Sequence, residues 1–255
     1  MKVFNRSISI IRGFGVTQLL LICFATSTVA DLRIATTGDY APFSYRESGK
    51  LTGIDIDLIT DLRQELSKIS ITSQVVKTTW PTLIEDLLSD SFDIAISGIS
   101  RSPERSTIAD LSLTYFVTGK TALTNCDFTH KFDVIEDLNH QNIRVIVNPG
   151  GTNESFVKNS LPDAIITVHN ENLTIFEALA KGDADLMITD EVEAKLMASK
   201  YENLCFSEGK TFNRIEKVIL MKKSGHLNPF INKWLERKIA DGTVKRIIQT
   251  HIPSS

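Results

Sequence analysis

The chain has 255 residues, of which 42% are hydrophobic and 23% are charged, and its formal net charge is −3 at pH 7. This composition excludes a disordered chain and a fibrous one, and it is typical of a globular protein. Because the sequence contains no run of basic residues, it also lacks the electrostatic footprint of a nucleic-acid-binding protein.

The first thirty residues have the layout of a secretory signal peptide. No acidic residue occurs before Asp31, and an apolar stretch ending in small residues follows three basic ones, Lys2, Arg6 and Arg12. This order predicts cleavage after Ala30, with Ala25 as the alternative. A membrane anchor is a second interpretation, but the apolar part is short for a bilayer span. A lipoprotein signal at Cys23 is a third, although bulky Ile22 stands where a small residue is preferred.

Removal of residues 1–30, which contain three basic and no acidic residues, changes the formal charge from −3 to −6. We therefore expect an exported, periplasmic protein that has no stable membrane association once the signal is cleaved. The composition leaves a homo-oligomer open. Two cysteines remain in the exported part, Cys126 and Cys205. In an oxidising compartment they indicate a disulfide, and two buried free thiols are the alternative.

Strand-like and helix-like patterns alternate after the signal segment. The first unit has predicted strands over 31–37, 72–79 and 92–100, and predicted helices over 54–69 and 81–90. This βαβαβ alternation predicts a parallel sheet with right-handed helical crossovers.

The pattern restarts after the segment 110–124. Predicted strands and helices then alternate over 142–150, 153–161, 164–170, 172–182, 184–190 and 191–200, and a strand over 217–225 leads to helices over 227–242 and 243–252. Two successive units predict an α/β protein with two doubly wound lobes. Lobe 1 would contain residues 31–118 plus 219–255 and lobe 2 residues 119–218, with crossovers near 117–121 and 214–220. Ligands of open α/β sheets bind outside the carboxyl ends of the strands, so we expect a ligand cleft between the lobes.

The segment ISGISRSPERS leaves a predicted strand and begins a helix. Ser102 is placed as the N-cap and Pro103 at the first helical position. Arg105 then lies in the first turn, where its guanidinium could bind a carboxylate with two parallel hydrogen bonds. A solvated surface arginine is equally compatible with this position. Two residues of the preceding strand end are further binding candidates, Ser97 and Gly98.

The segment NPGGTNESF also joins a strand to a helix. Gly150 and Gly151 permit close approach of a backbone, and Thr152 is placed as the helix cap. Free N–H groups and the helix dipole favour an anion at such a turn. An ordinary turn with a good cap would look similar.

In ITDEVEAKL, Asp190 and Glu193 have the spacing of an N-cap and its reciprocal partner, and this spacing alone favours a capping box. The alternative is functional. At a strand end that faces a cleft, desolvation could raise the pKa of one carboxyl group and keep it protonated. A neutral Glu193 would be a proton donor.

Aromatic residues of two loops could form the walls of a ligand site. Tyr40, Phe43 and Tyr45 lie in the first loop and Trp80 at the end of the second strand, although Phe43 also suits a core. Lys120 lies at the predicted crossover. We expect no metal, because HExxH, CxxC, phosphate-loop and nucleophile-elbow motifs are all missing from the sequence.

Together these stretches resemble the periplasmic solute-binding proteins of the polar amino-acid type. Within that superfamily the sequence is similar to the cyclohexadienyl dehydratases, exported enzymes that act on prephenate and arogenate. The resemblance covers residues 32–250 and rests on RIATTGDYAPFSYR, TTWPTLIEDLLSDSFDIAISGIS, GKTALTNC, VNPGGTNESF, NLTIF, ADLMITDEVEAKL and NLC. It implies a type II periplasmic-binding-protein fold, no cofactor, and a disulfide between Cys126 and Cys205.

The resemblance also implies roles for the candidate residues. Glu193 matches the general acid, and Lys120 matches a residue that orients or polarises it. Arg105, or Arg101 in the same segment, would bind a substrate carboxylate together with the N–H groups at Thr152. Asp190 matches the residue that holds the ammonium group of an amino acid. Polar contacts and ring enclosure would come from Asn148, Asn153, Trp80 and Tyr40.

The main alternative is an amino-acid-binding protein that serves an uptake transporter. It would share the fold and cleft, and it would need only Asp190 and Arg105. Glu193 with Lys120 is the pair that separates the enzyme from the carrier. A receptor sensor domain is a third class, and it would require a membrane span or a signalling module after the fold.

Overall fold

The computed structural model describes residues 31–128 and 134–252. The predicted signal segment lies outside these residues. In chain order the strands are β1 (Leu32–Thr36), β2 (Tyr45–Glu47), β3 (Lys50–Thr52), β4 (Ser73–Lys77), β5 (Ile94–Ala95), β6 (Ala109–Leu111), β7 (Phe116–Thr118), β8 (Lys120–Asn125), β9 (Arg144–Val147), β10 (Ile165–Val168), β11 (Leu186–Asp190), β12 (Leu204–Phe206), β13 (Ile215–Lys217) and β14 (Leu220–Lys222).

The helices are α1 (Ile54–Ser67), α2 (Leu83–Leu88), α3 (Pro103–Ile108), α4 (Thr152–Ser160), α5 (Ile175–Ala180), α6 (Glu191–Lys200), α7 (Asn228–Ala240) and α8 (Thr243–His251), with a 3-10 turn at Ile135–Leu138. In the part of the chain that the structure describes, no helix combines the length and apolar character that crossing a membrane requires.

The first sheet has the strand order β4–β1–β5–β14–β6. Helix α1 covers it with apolar residues spaced by three and four positions, which places them on one face of the helix. These residues are fully or almost fully buried and include Leu58, Leu62 and Leu66. Helices α7 and α8 pack against α1 and complete this core, in which Trp234 is fully buried.

The second sheet has the order β10–β9–β11–β8–β12. Its central strands β9 and β11 are buried almost throughout, as expected for strands covered on both faces. A disulfide joins Cys126, just after β8, to Cys205 in β12. The structure therefore confirms the expected pairing of these two cysteines.

The parallel arrangement predicted for the first βαβαβ unit is confirmed, but both sheets also contain antiparallel strands. Strands β4, β1 and β5 are parallel, as are β10, β9 and β11. In contrast, β14 is antiparallel to β5 and β6, and β8 is antiparallel to β11 and β12. Strands β8 and β14 follow directly on β7 and β13 and are not entered through a helical crossover, so they need not run parallel to their neighbours.

The chain passes between the two sheets along β7 and β13, which pair with each other as a two-stranded antiparallel ribbon. Two lysines lie next to this ribbon or in it: Lys120 is the first residue of β8, and Lys217 is the last residue of β13. The carboxyl ends of β1, β4, β5, β9 and β11 lead into the turns that carry the other candidate residues. The assignment of lobe boundaries near residues 118 and 219 stays a prediction.

Candidate active site

A cavity lies where turns of both sheets meet, and side chains from both sheets line it. Most of the residues that the sequence nominated line it. The lining consists of Tyr40, Trp80, Gly98, Ser100, Arg105, Lys120, Asn148, Gly151, Thr152, Asn153, Asn172, Asp190, Glu193 and Lys217.

The carboxylate of Asp190 is held between two buried lysines. The Nζ atom of Lys120 donates to Oδ1 at 2.8 Å, and the Nζ atom of Lys217 donates to Oδ2 at 2.5 Å. The hydroxyl of Tyr40 also donates to Oδ2. Burial by itself would raise the pKa of Asp190, but the two lysines outweigh it and hold this pKa well below its ordinary value. Asp190 is therefore ionised at neutral pH.

Glu193 lies one helical turn further on and is only 3% exposed. Burial raises the pKa of its carboxyl group to about 8, and the neighbouring charge of Asp190 acts in the same direction. A hydrogen bond from the Thr189 hydroxyl, which opposes this shift, reaches Oε2. Among the described residues Oε1 has no hydrogen-bond partner. Since Glu193 lines the cavity, a protonated carboxyl group is available to a ligand there.

The capping box favoured by spacing alone is not formed. Asp190 occupies the N-cap position of α6, but its side chain makes no cap hydrogen bond, because both of its oxygens are engaged by Lys120, Lys217 and Tyr40. The Glu193 carboxyl group bonds to Thr189 instead of reaching back to the backbone of Asp190. Neither acidic side chain therefore caps the helix: Asp190 is committed to the lysines, and Glu193 lines the cavity.

Lys120, which the sequence nominated, is one of the two lysines bound to Asp190, and it is only 1% exposed. Besides Asp190, its ammonium group contacts the side-chain oxygen of Asn153. The amide nitrogen of Asn153 in turn lies 3.5 Å from Asn148 Oδ1 and from Thr189 Oγ1. These contacts link the β9–α4 turn to the carboxyl end of β11.

Arg105 is a cavity residue, whereas Arg101 is not. Arg105 is 7% exposed and donates through Nη1 to the carbonyl oxygen of Ser100 at 2.7 Å. Burial lowers its pKa to about 10, so it stays charged at neutral pH. Its remaining guanidinium N–H groups have no acceptor among the described residues. Arg101 instead pairs with Glu216 at 2.9 Å, and neither of these two residues lines the cavity.

The segment around Arg105 folds as the sequence predicted. Ser102 is the N-cap of α3, its hydroxyl accepts a hydrogen bond from the Arg105 N–H at 3.2 Å, and Pro103 begins the helix. This cap fixes the first turn and points Arg105 towards the cavity. Gly98 lines the cavity as well, but Ser97 does not. The Ser97 hydroxyl is buried behind the wall, 2.8 Å from the Thr37 hydroxyl.

The turn before α4 corrects two details of the prediction. The N-cap of this helix is Gly151, and Thr152 is its first helical residue without a side-chain cap. Only Gly150 requires the freedom of glycine: its φ is 77°, and a Cβ there would lie 2.5 Å from the backbone nitrogen of Pro81. At Gly151 the nearest atoms to such a Cβ would be 3.9 Å away.

Of the four aromatic candidates, two line the cavity and two do not. Tyr40 and Trp80 line the cavity and pack edge to face with their ring centres 5.7 Å apart. The Trp80 indole N–H donates to Asp39 Oδ1 at 3.1 Å, which fixes the ring. Phe43 is fully buried in the first core, and Tyr45 lies in β2 outside the cavity lining.

Sequence reasoning missed three lining residues, Ser100, Asn172 and Lys217. Lys217 is the most important of them because it shares the Asp190 carboxylate with Lys120. The sequence contained one indication that Lys217 is buried. It directly precedes the apolar run VILM, and residues next to such a run are often buried with it. The identity of its partner, 27 residues earlier in the chain, is not visible in any local pattern.

Comparison with known families agrees with this fold and cleft. Residues 32–254 match the family described as bacterial extracellular solute-binding proteins, family 3. The chain belongs to this family. The matched residues include every strand and helix that the structure describes.

One relative that is similar in sequence is cyclohexadienyl dehydratase of Pseudomonas aeruginosa. It is 40% identical over 217 residues, which are 84% of this chain and 80% of the relative. Among solved structures, the ancestral amino acid-binding protein AncCDT-1, a precursor of cyclohexadienyl dehydratase, has a TM-score of 0.79 and 32% identity. The match covers 88% of this chain and 96% of that one. An ancestral arginine-binding protein bound to arginine has a TM-score of 0.78 and 26% identity, covering 88% and 98%.

Proposed function

We propose that this protein is a periplasmic cyclohexadienyl dehydratase that converts prephenate to phenylpyruvate and acts on arogenate by the same chemistry. The observation that carries the proposal is the protonated, buried carboxyl group of Glu193 beside the ionised, lysine-held Asp190. A protein that only binds its ligand has no need of a proton donor. The 40% identity to the Pseudomonas aeruginosa enzyme supports the same assignment.

The reaction explains why an acid is required. Prephenate carries a carboxylate on one ring carbon and a hydroxyl on the opposite carbon. Loss of both groups makes the ring aromatic, which supplies the driving force, but hydroxide is a poor leaving group until it is protonated. A positioned general acid contributes about 10²–10⁴-fold to the rate of such a step.

The bond changes balance with Glu193 as the only proton donor. The proton moves from the Glu193 carboxyl group to the ring hydroxyl, and the C–O bond breaks to release water. The bond between the ring and its carboxylate breaks, carbon dioxide leaves, and the electron pair of that bond completes the aromatic ring. Glu193 is left ionised and regains its proton from solvent.

The other cavity residues have roles that follow from their charges and positions. Arg105 holds a substrate carboxylate through its unpaired guanidinium N–H groups, and the amino end of α4 adds N–H donors at Thr152. Lys120 fixes Asp190 and Asn153 around Glu193. Tyr40 and Trp80 enclose the ring. Exclusion of water from this enclosure strengthens each of these electrostatic interactions.

The second candidate is an amino-acid-binding protein, which the similarity to AncCDT-1 and to the arginine-binding protein supports. Incubation of the purified protein with prephenate at neutral pH, monitored by phenylpyruvate absorbance, distinguishes the two. Calorimetric titration with L-arginine is run in parallel. Formation of phenylpyruvate above the spontaneous rate supports the enzyme. Binding of L-arginine without any turnover would overturn the proposal in favour of the carrier.

A further inference from the structure

The charged side chains that line the cavity have a net positive charge. Three cationic side chains line the cavity, Arg105, Lys120 and Lys217, and the acidic lining residues are Asp190 and Glu193. Glu193 is neutral at neutral pH, so the formal charge of the wall is three positive against one negative. A pocket with this balance favours an anionic ligand.

The one ionised carboxylate of this wall is already neutralised by the protein. Each oxygen of Asp190 accepts a hydrogen bond from a lysine ammonium group, and Oδ2 also accepts one from the Tyr40 hydroxyl. Lys217 is itself held in place, since its Nζ atom contacts Ser100 Oγ at 3.0 Å and Tyr40 OH at 3.2 Å. An ammonium group of a ligand at Asp190 would face both lysines and would have to displace one of them.

The remaining lining residues offer no substitute for Asp190 as an anionic partner. They are neutral hydroxyl, amide, aromatic and glycine residues. The nearby Asp39 carboxylate accepts the Trp80 indole N–H behind the wall and is not part of the lining. Within residues 31–128 and 134–252, the cavity lining therefore offers the Arg105 guanidinium to a ligand carboxylate and has no uncommitted anionic partner for an ammonium group.

We propose that Lys217, together with Lys120, makes this cavity selective for a ligand with two negative charges and no ammonium group. The inference rests on the proposed function and specifies its substrate. Prephenate carries two carboxylates and a keto group, whereas arogenate carries an ammonium group in place of the keto oxygen. Prephenate is therefore the preferred substrate, and free amino acids are poor ligands.

The experiment compares kcat/KM for prephenate and arogenate in wild type, Lys217→Met, Lys217→Arg and a control variant. We expect the wild-type value for prephenate to exceed that for arogenate by about tenfold or more. Lys217→Met removes one charge and frees one oxygen of Asp190 for a ligand ammonium group, so the ratio of the two values falls about tenfold. Lys217→Arg keeps the charge and retains a preference for prephenate. The control is Lys222→Met, at a half-exposed lysine of β14 paired with Asp90, and it leaves the ratio unchanged.

A ratio of two substrates measured on the same protein sample does not respond to partial unfolding. If Lys217→Met fails to fold, the wild-type ratio and Lys217→Arg still decide the outcome. A wild-type protein that processes both substrates equally well, or prefers arogenate, overturns the inference and leaves the proposed function intact.

If neither substrate is turned over, the proposed function fails, and calorimetry with wild-type protein tests the selectivity separately. Binding of prephenate about tenfold or more tighter than arogenate and L-arginine would support the selectivity for doubly charged anions. Binding of arogenate or L-arginine as tight as or tighter than prephenate would overturn it.

Discussion

Asp190 and Glu193 lie three residues apart at the start of α6, yet their carboxyl groups have opposite protonation states at neutral pH. Both are buried, and burial pushes both pKa values upward. Two lysines reverse the shift at Asp190, whereas at Glu193 the Thr189 hydrogen bond and the same lysines do not outweigh burial, and the carboxyl group remains protonated up to about pH 8. This difference makes Glu193, and not Asp190, the suitable donor for the proposed proton transfer.

The first prediction concerns pH. Turnover of prephenate falls as pH rises through about 8, because Glu193 loses the proton that it donates. The measurement is kcat against pH for wild type. A rate that increases from about pH 6 to about pH 9 would show that an ionised group, and not protonated Glu193, limits the reaction.

The same pKa has a consequence for stability. The pKa of Glu193 is raised in the folded protein from 4.5 to about 8, so its contribution to stability is fully present below pH 4.5 and is lost as pH rises through about 8. We expect wild type to lose stability relative to Glu193→Gln over this window in denaturant titrations. An unchanged difference between the two proteins from about pH 5 to about pH 9 would contradict the raised pKa.

Arg105→Lys tests the carboxylate anchor. Lysine keeps the positive charge but loses the paired N–H geometry, so we expect KM for prephenate to rise about 10–100-fold with a smaller effect on kcat. The matched control is Arg101→Lys, because Arg101 pairs with Glu216 outside the cavity. A larger effect at Arg101 than at Arg105 would reverse the assignment of the anchor.

Gly150→Ala tests the contact between the two sheets beside the cavity. A methyl group at this positive-φ position would collide with the backbone of Pro81, so we expect a loss of about 1–3 kcal/mol in unfolding free energy. Gly151→Ala is the control, because the space around it is open. Urea unfolding of both variants is the measurement, and equal destabilisation would refute the role of the close approach at Gly150.

The disulfide between Cys126 and Cys205 should contribute to stability but not to chemistry. The two cysteines are 79 residues apart, and closing a loop of this length stabilises a fold by about 4.5 kcal/mol in the chain-entropy description. We expect the double variant Cys126→Ser with Cys205→Ser to unfold at lower urea concentration and to keep the wild-type kcat. A loss of kcat in folded variant protein would mean that the disulfide also shapes the cavity.

Much of this architecture is readable from local patterns. Helix α6 was predicted with the bounds that it has, Glu191–Lys200, directly after a strand and in a run of residues with high helix propensity. The cap at Ser102 was also predicted, since serine followed by proline has a local physical meaning. Such features depend on interactions within a few residues of the chain.

What could not be predicted depends on distant partners. The spacing of Asp190 and Glu193 favoured a capping box. Lys120, Lys217 and Tyr40, which are distant in the sequence, bind the Asp190 carboxylate instead. A buried lysine such as Lys217 has no local signature of its ion pair. The strand directions of β8 and β14 likewise follow from how the chain crosses between the sheets.

The central claim is that Glu193 donates the proton that releases water from prephenate. Replacement by glutamine keeps the shape and removes the acid, so the direct measurement is phenylpyruvate formation by wild type, Glu193→Gln and Glu191→Gln at neutral pH. Glu191 is the matched control, because its carboxylate lies in the same helical turn and accepts the Gly209 N–H at 2.7 Å. We predict that Glu193→Gln binds prephenate with wild-type affinity and loses about 10²–10⁴-fold in kcat, while Glu191→Gln stays active. Undiminished turnover by Glu193→Gln would contradict the account.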